Sequence, residues 1–379
     1  MFYLTKDEKF FCGVFFMKTV AVFFGGRSNE REISIITGTF AANLLKGAGY
    51  RVVPVYIGED NVFYTSSEMM RVDFFRTCLP AAKHAAELQT GRLVRAGKPK
   101  KTLAQIDCAL NCCHGGMGED GTLSALLRYY KIKSASPDIE VSSVFMDKTL
   151  SKIAAAGLHI PVLPSLALRE GESAEGAAAL GFPVIVKPAR LGSSIGIKIA
   201  ENAEQLQQAL QYAYRLDDTV LIERYLPDKR DINCAAYSKN GTVVVSECEE
   251  VFSQSDILTF SEKYEGGGER RSEMPADLDK KTADKIKECV KRLYEAFGVR
   301  GVVRADFLVS GKEVYFNELN TVPGSLACYL FGEKLTQSRA FLAELIEDAL
   351  RACGEEKATV CSGILNTAVF SGGKSCKRR

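Results

Sequence analysis

Asp306, Glu318 and Asn320 are the residues whose types and spacing point most directly to chemistry. Asp306 lies in the run VVRADFLV and Glu318 and Asn320 in VYFNELN, with Ser310-Gly311 turning between two predicted strands. Side chains two apart on a strand share a face, so Glu318 sits with Asn320, and Arg304 with Asp306. If the two faces coincide, two carboxylates and an amide converge beside a guanidinium. Hard oxygen ligands of that kind suit Mg²⁺ held between protein and phosphates. A salt-bridged, solvated hairpin face would use the same spacing; the apolar flanks favour an enclosed one.

A second set lies in VIVKPARLGSSIG, where a strand ends at Lys187 and a Gly/Ser loop follows. Loop N–H groups can cradle phosphate oxygens while the lysine adds a point charge; a flexible turn is the plainer alternative. The order is not G-x4-G-K-[ST], which disfavours a P-loop enzyme. A third set, Gly116, Gly118 and Gly121 in GGMGEDG, matches the dinucleotide pattern. Its strand is not the first of the region, and His114 and Glu119 crowd the turn, so dinucleotide binding is disfavoured. Glu30, in the first turn of a predicted helix at the mouth of a parallel sheet, can pair with a substrate ammonium or simply complement the helix dipole. Cys112, Cys113 and His114 suggest a metal, but adjacent strand residues point to opposite faces, so buried packing is preferred to zinc.

The elements that must position these groups fall into three regions. In the first, 17–145, an apolar strand at 19–24 ends in two glycines and leads to a helix, with Asn29 and Glu32 spaced as a capping box. Strands at 51–57 and 106–113 and a helix at 122–130 complete a parallel α/β pattern. The second, 146–228, reads as a small α+β unit: helix 148–156, strands 183–187, 195–200 and 219–225, and helix 202–214 with Asn202 and Gln205 as its box. The third, 229–355, holds strands at 231–237 and 242–249, a glycine-rich polar stretch at 260–271, helix 277–297, the Asp306/Glu318 hairpin and helix 337–351. Residues 1–16, before an internal Met17, read as an appendage, and 356–379 as a tail.

Lys+Arg 49 against Asp+Glu 47, a net charge of +2, gives no electrostatic reason to expect nucleic acid. No apolar run approaches the ~18 residues of a membrane span. The 12 cysteines show no disulfide-framework spacing, which indicates a reducing, cytoplasmic setting.

FFGGRSNEREIS, HGGMGEDGT, MDK, PVIVKPARLGSSIG, SEKY, VVRADF and NELNTVPG occur in the order of the D-alanine–D-alanine ligase family, of the ATP-grasp superfamily, and the chain resembles it over about 17–353. The resemblance implies an N-terminal parallel α/β domain, a small central α+β domain and a larger C-terminal α+β domain, with ATP between the last two. It implies phosphate contacts from Lys148 and Lys187, and adenine against Glu223, Arg224, Tyr225 and Leu226. Asp231 would hold the ribose, where the family usually has Glu. Asp306, Glu318 and Asn320 would bind two Mg²⁺ (or Mn²⁺), and Arg304 and the backbone of Gly324 would stabilise an oxyanion. Glu30 would bind the ammonium of the first D-alanine, with His114 and Glu119 nearby. Glu30, Ser193 and Tyr264 would form a hydrogen-bonded triad, and Lys263 would sit on a loop closing over phosphate. The implied product is D-alanyl-D-alanine for peptidoglycan, made in the cytoplasm by a homodimer. Two departures fall on the acceptor side: Ser134-Ala135-Ser136-Pro137 replaces YTGS, and Tyr329 stands where the family usually has a serine for the second carboxylate. D-Serine, D-lactate or another amine therefore stand as alternative acceptors, with D-alanine expected first.

Overall fold

The structure, a computed structural model, describes residues 17–78, 80–252 and 272–352. The expected appendage, Lys263, Tyr264 and the tail lie outside them.

β1 (Thr19–Gly25) is buried along its whole length, as its unbroken apolar run requires of a central strand. The chain crosses by α1 (Arg31–Gly47) to β2 (Arg51–Ile57), parallel to β1. An antiparallel meander follows: β3 (Phe63–Tyr64), α2 (Val72–Thr77), β4 (Ala85–Gln89), β5 (Arg92–Arg95) and β6 (Thr102–Gln105). β7 (Cys108–Asn111) then lies parallel to β1 on its other side, and α3 (Thr122–Tyr129) follows. The seven strands run in the order β6-β5-β4-β3-β2-β1-β7. The turns after β1 and β7 therefore meet at one edge of the sheet.

Two expectations differ in detail here. Asn29 does not cap α1; Glu30 occupies that position without a side-chain cap, and the Ser28 hydroxyl accepts the Glu30 N–H (2.9 Å) while donating to the His114 carbonyl (2.6 Å). β7 is shorter than 106–113 because the Asn111 side chain accepts from the Cys113 N–H (2.8 Å) and donates to the Gly118 carbonyl (2.7 Å), turning the chain out of the sheet.

α4 (Ile139–Met146) and α5 (Lys148–Gly157) lead to a second sheet. Asp147 caps α5 by accepting from Thr149 N (2.8 Å) and Leu150 N (3.1 Å). β8 (Ser165–Arg169), β9 (Val184–Pro188), β10 (Lys198–Ala200), α6 (Ala203–Ala213) and β11 (Thr219–Arg224) make an antiparallel sheet ordered β10-β9-β11-β8 with α6 across it. Asn202 caps α6 as expected, but Gln205 takes the N–H of Glu201 (2.8 Å) rather than that of the cap.

The third sheet is built of β12 (Arg230–Lys239), β13 (Thr242–Val245), β14 (Glu249–Val251), β15 (Ser272–Glu273) and, after α7 (Lys280–Ala296), the hairpin β16 (Val302–Ser310) and β17 (Glu313–Asn320). The single strand expected at 242–249 is two strands, divided where Ser246 bonds back to Ala235 through both N–H and hydroxyl. α7 packs Ile286, Val290 and Leu293 against Ile232, Val303 and Phe316 on one face. On the other face α8 (Leu335–Arg351) places Phe341, Leu342 and Leu345 in one core with Ala41 and Leu45 of α1 and Tyr237 of β12. The first and third sheets thus share a continuous apolar core, which fixes the β1 and β7 turns against the hairpin.

Cys112 lies in that shared core and Cys113 in the opposite one, beneath α3, although both stand just past the end of β7. Among the described residues every cysteine except Cys78 is buried, all are free thiols, and no helix is long and apolar enough to cross a membrane.

Candidate active site

A cavity of about 440 Å³ opens where the three sheets face one another. Its floor is the β16–β17 hairpin. Arg304 pairs with Asn320 and Asp306 with Glu318 in the strand register, so the two faces left open by the sequence coincide. The register shifts between Asp306 and Phe307, which makes Asn317 an extra residue on β17. The bulge turns Asn317 into the cavity, where its Oδ1 accepts from Lys187 Nζ (3.2 Å).

Arg304 grips Asp306 with two parallel hydrogen bonds of 2.7 and 2.8 Å, and Asn320 Nδ2 donates to the same carboxylate (3.0 Å). Burial opposes the guanidinium charge, but Asp306 and the neighbouring Tyr329 side chain hold its pKa well above the ordinary value. Lys148, at the start of α5, donates to the Leu191 carbonyl (2.6 Å) and stands 3.7 Å from Glu318. Lys187 reaches in from β9 and donates to Glu223 Oε2 (2.7 Å). Burial pushes the Glu223 carboxyl up, yet the ammoniums of Lys187 and Lys152 outweigh it and hold that group below the carboxylate range.

Arg224 and Leu226 line the far end beside Leu163, Ile185 and Leu308, an apolar slot at the β9–β11 edge. Tyr225 is tied there through its N–H to the Pro183 carbonyl (3.3 Å). Asp231 lines the same end, ion-paired with Lys229.

At the near end Glu30 leaves the β1–α1 turn and accepts a hydrogen bond from the Ser193 hydroxyl, across from the loop after β9. It is held from both sides by glycines: a Cβ on Gly115 or on Gly192 would come within 2.9 Å of Glu30 Oε2. Gly115 also has φ +67°, a backbone region that favours glycine. His114 and Glu119 lie close by, and both fasten the chain just before Gly324. Glu119 accepts from Gly115 N (2.7 Å) and Val322 N (3.3 Å). His114 bonds Thr37 Oγ1 through Nε2 (2.8 Å) and the Val322 backbone. Burial pulls the His114 imidazole down to about 4, so the ring is neutral near pH 7. Burial, reinforced by Glu30, pushes the Glu119 carboxyl up to about 8.

Gly324 opens a turn in which Ser325, Leu326 and Ala327 take φ of 50°, 52° and 51°, a left-handed run of non-glycine residues. Such a conformation is costly and persists only where its surroundings over-determine it. It brings Gly324, Ser325 and Tyr329 to the cavity wall.

The described site residues expected from sequence, Tyr225 apart, thus line one cavity. Lys263 and Tyr264 lie outside the described residues. Sequence reading missed Lys152, Asn317 and the apolar slot. Lys152 sits one turn after Lys148, a spacing that could have marked it as facing the same way.

Two family models cover most of the chain: "D-ala D-ala ligase N-terminus" over residues 19–136 and "D-ala D-ala ligase C-terminus" over 155–351. The D-alanine–D-alanine ligase of Wolinella succinogenes is 34% identical over 323 residues, spanning 85% of this chain and 92% of the relative. That of Campylobacter jejuni subsp. doylei is 33% identical over 312 residues, spanning 82% and 88%. The crystal structure of D-alanine–D-alanine ligase from Helicobacter pylori superposes with a TM-score of 0.72 at 30% identity, covering 88% of this chain and 98% of that one.

Proposed function

This chain belongs to the D-alanine–D-alanine ligase family, and from that premise we propose that its cavity joins two D-alanines at the cost of one ATP, giving the dipeptide used in peptidoglycan synthesis. The observation that carries the reading is the convergence on one cavity of a carboxylate for an ammonium (Glu30), lysines for phosphates (Lys148, Lys187) and a paired-carboxylate hairpin (Asp306, Glu318).

The first D-alanine places its ammonium against Glu30, which directs its carboxylate towards the hairpin. ATP lies with its base in the Leu163/Ile185/Leu308 slot, its ribose by Asp231 and its phosphates between Lys148 and Lys187. The D-alanine carboxylate attacks the γ-phosphorus and ADP leaves, giving an acyl phosphate. The amine of the second D-alanine then attacks the acyl carbon. Arg304 and the Gly324 N–H hold the oxyanion of the tetrahedral adduct, inorganic phosphate departs and the amide remains. The all-oxygen set of Asp306, Glu318 and Asn320 fits a hard cation such as Mg²⁺. Bound there, two Mg²⁺ would offset the charge of the transferring phosphoryl group. The glycine-rich stretch with Lys263 and Tyr264 would cover the site and exclude water from the acyl phosphate. A cytoplasmic homodimer is the setting this reading implies.

Tyr329 bears on the acceptor. Its side chain lies beside Arg304 and interacts with it electrostatically, and it adds no cation to the pocket. Electrostatics therefore do not favour an anionic hydroxy acid over a zwitterionic amino acid near pH 7. D-Alanyl-D-alanine is the expected main product, with D-alanyl-D-serine minor. The test supplies ATP, Mg²⁺ and D-alanine, alone or with D-lactate, D-serine or other amines across pH 6 to 9, and measures phosphate release and products by mass spectrometry. Dominant D-lactate incorporation at neutral pH, or another amine coupled without dipeptide, would overturn the acceptor assignment.

A further inference from the structure

Behind the phosphate end of the cavity three charges are buried together. Glu223 is fully buried on β11, Lys187 lies diagonally across the β9–β11 pair on the same face, and Lys152 comes down on that face from α5. Lys187 lines the cavity, whereas Lys152, with only 5% of its side chain exposed, meets Glu223 Oε1 from the far side. The two lysines thus take opposite oxygens of one carboxylate. Lys187 does so through a 2.7 Å hydrogen bond, and Lys152 as a close ion pair.

A lysine paired alone with a buried carboxylate forms a neutral couple and attracts an anion weakly. With two ammoniums on one carboxylate, the group keeps one net positive charge; Lys187 and Glu223 line the cavity, and Lys152 does not. In a partly desolvated wall that charge acts at an effective dielectric well below that of water, so its loss is felt strongly by a phosphate a few ångströms away. Burial pulls Lys152 below the ordinary lysine range, and Glu223 opposes that pull. A lysine held so deeply, without reaching solvent or the cavity, has its carboxylate as its main reason for being charged.

We infer that Lys152 is a positioning residue for the nucleotide: it neutralises Glu223 from behind the wall, so that the charge of Lys187 stays available to the phosphates. The inference rests on the reading of the cavity as an ATP site. It separates binding of phosphate from binding of base and ribose, which a merely structural role would not do.

The experiment measures, by calorimetry in the presence of Mg²⁺, affinities for ATP and for adenosine in the wild-type protein, Lys152→Met, Lys152→Arg and the double variant Lys152→Met/Glu223→Gln. Lys152→Met is expected to weaken ATP roughly tenfold or more and adenosine less than about twofold. Lys152→Arg keeps the preference for ATP over adenosine, and the double variant regains it because no unbalanced carboxylate then competes for Lys187. Lys152→Met retaining ATP affinity within about twofold, or losing ATP and adenosine in equal proportion, would overturn the inference. Should Lys152→Met not fold, the double variant decides: a preference for ATP restored to within about threefold of wild type supports the inference, and its loss overturns it. Failure of the wild-type protein to bind ATP would instead refute the reading of the cavity.

Discussion

Glu318 is the residue at which the site reading is most exposed to test. It lies directly opposite Asp306 in the hairpin register and 3.7 Å from Lys148. Glu318→Gln keeps shape and hydrogen-bonding capacity but removes a charge. It is expected to lower kcat by about a hundredfold or more while thermal unfolding stays within a few degrees. Near-wild-type turnover with Mg²⁺ and ATP would remove Glu318 from the metal set. His114 yields a second prediction at this scale. Its ring titrates at about 4 when folded against an ordinary 6.5, so the unfolded chain binds its proton first. Its contribution to stability is present above pH 6.5 and is lost as pH falls towards 4. His114→Asn should flatten the fall of unfolding free energy across that window, measured by urea titration at several pH values. An unchanged slope would show that His114 is not the group responsible. Asp306, Glu318 and Asn320 were legible in the sequence because strand alternation decides which side chains share a face. Lys152 was not, because a lysine on a helix reads as solvated until the partner carboxylate, 71 positions away in the chain, is placed.

The bulge at Asn317 and the close crossing of α1 over β1 show what elements contribute beyond residues. Ser34 is fully buried on α1, accepts from the Gly25 N–H (2.7 Å) and donates to the Cys112 carbonyl (2.8 Å), tying together helix and both strand ends. Gly38, one turn on, lets the helix lie against Phe24: a Cβ there would stand 2.4 Å from that side chain. Gly38→Ala, favourable by helix propensity alone, should therefore cost about 1–3 kcal/mol by chemical denaturation, because overpacking outweighs propensity. A stabilised variant would mean that Phe24 has room to move. The long elements were readable from periodicity, but the β3–β6 meander was not. AAELQ, RLVR and TLAQ carry alanine, glutamine and charge, with few of the β-branched and aromatic residues that mark strands. Those segments become strands by pairing with one another, which local propensity does not report. The Asn29/Glu32 box failed for a related reason, since Ser28 already satisfies the turn.

At the scale of the whole molecule, the Ser193–Glu30 bond joins the second sheet's loop to the first sheet's turn, while the apolar core holds the first and third sheets together. The central sheet is thus the body with fewest apolar ties to the rest. Ser193→Ala should raise the apparent KM for D-alanine about fivefold or more and leave thermal unfolding within a few degrees, because one charged hydrogen bond is lost at a junction rather than in a core. A drop of many degrees without a KM change would make the bond structural. The distribution of sulfur carries a further consequence. Cys78 is the one exposed thiol among the described residues, and burial pushes Cys108 and Cys328 to about 12. A thiol-alkylating reagent should accordingly modify Cys78 within minutes, and Cys108, Cys112, Cys234 and Cys328 only as fast as the chain around them opens. Because Cys108, Cys112 and Cys328 share one core and Cys234 lies in another, peptide mapping of the alkylated sites over time would date the opening of those two cores separately. The protein carries its own unfolding clock, with no introduced label.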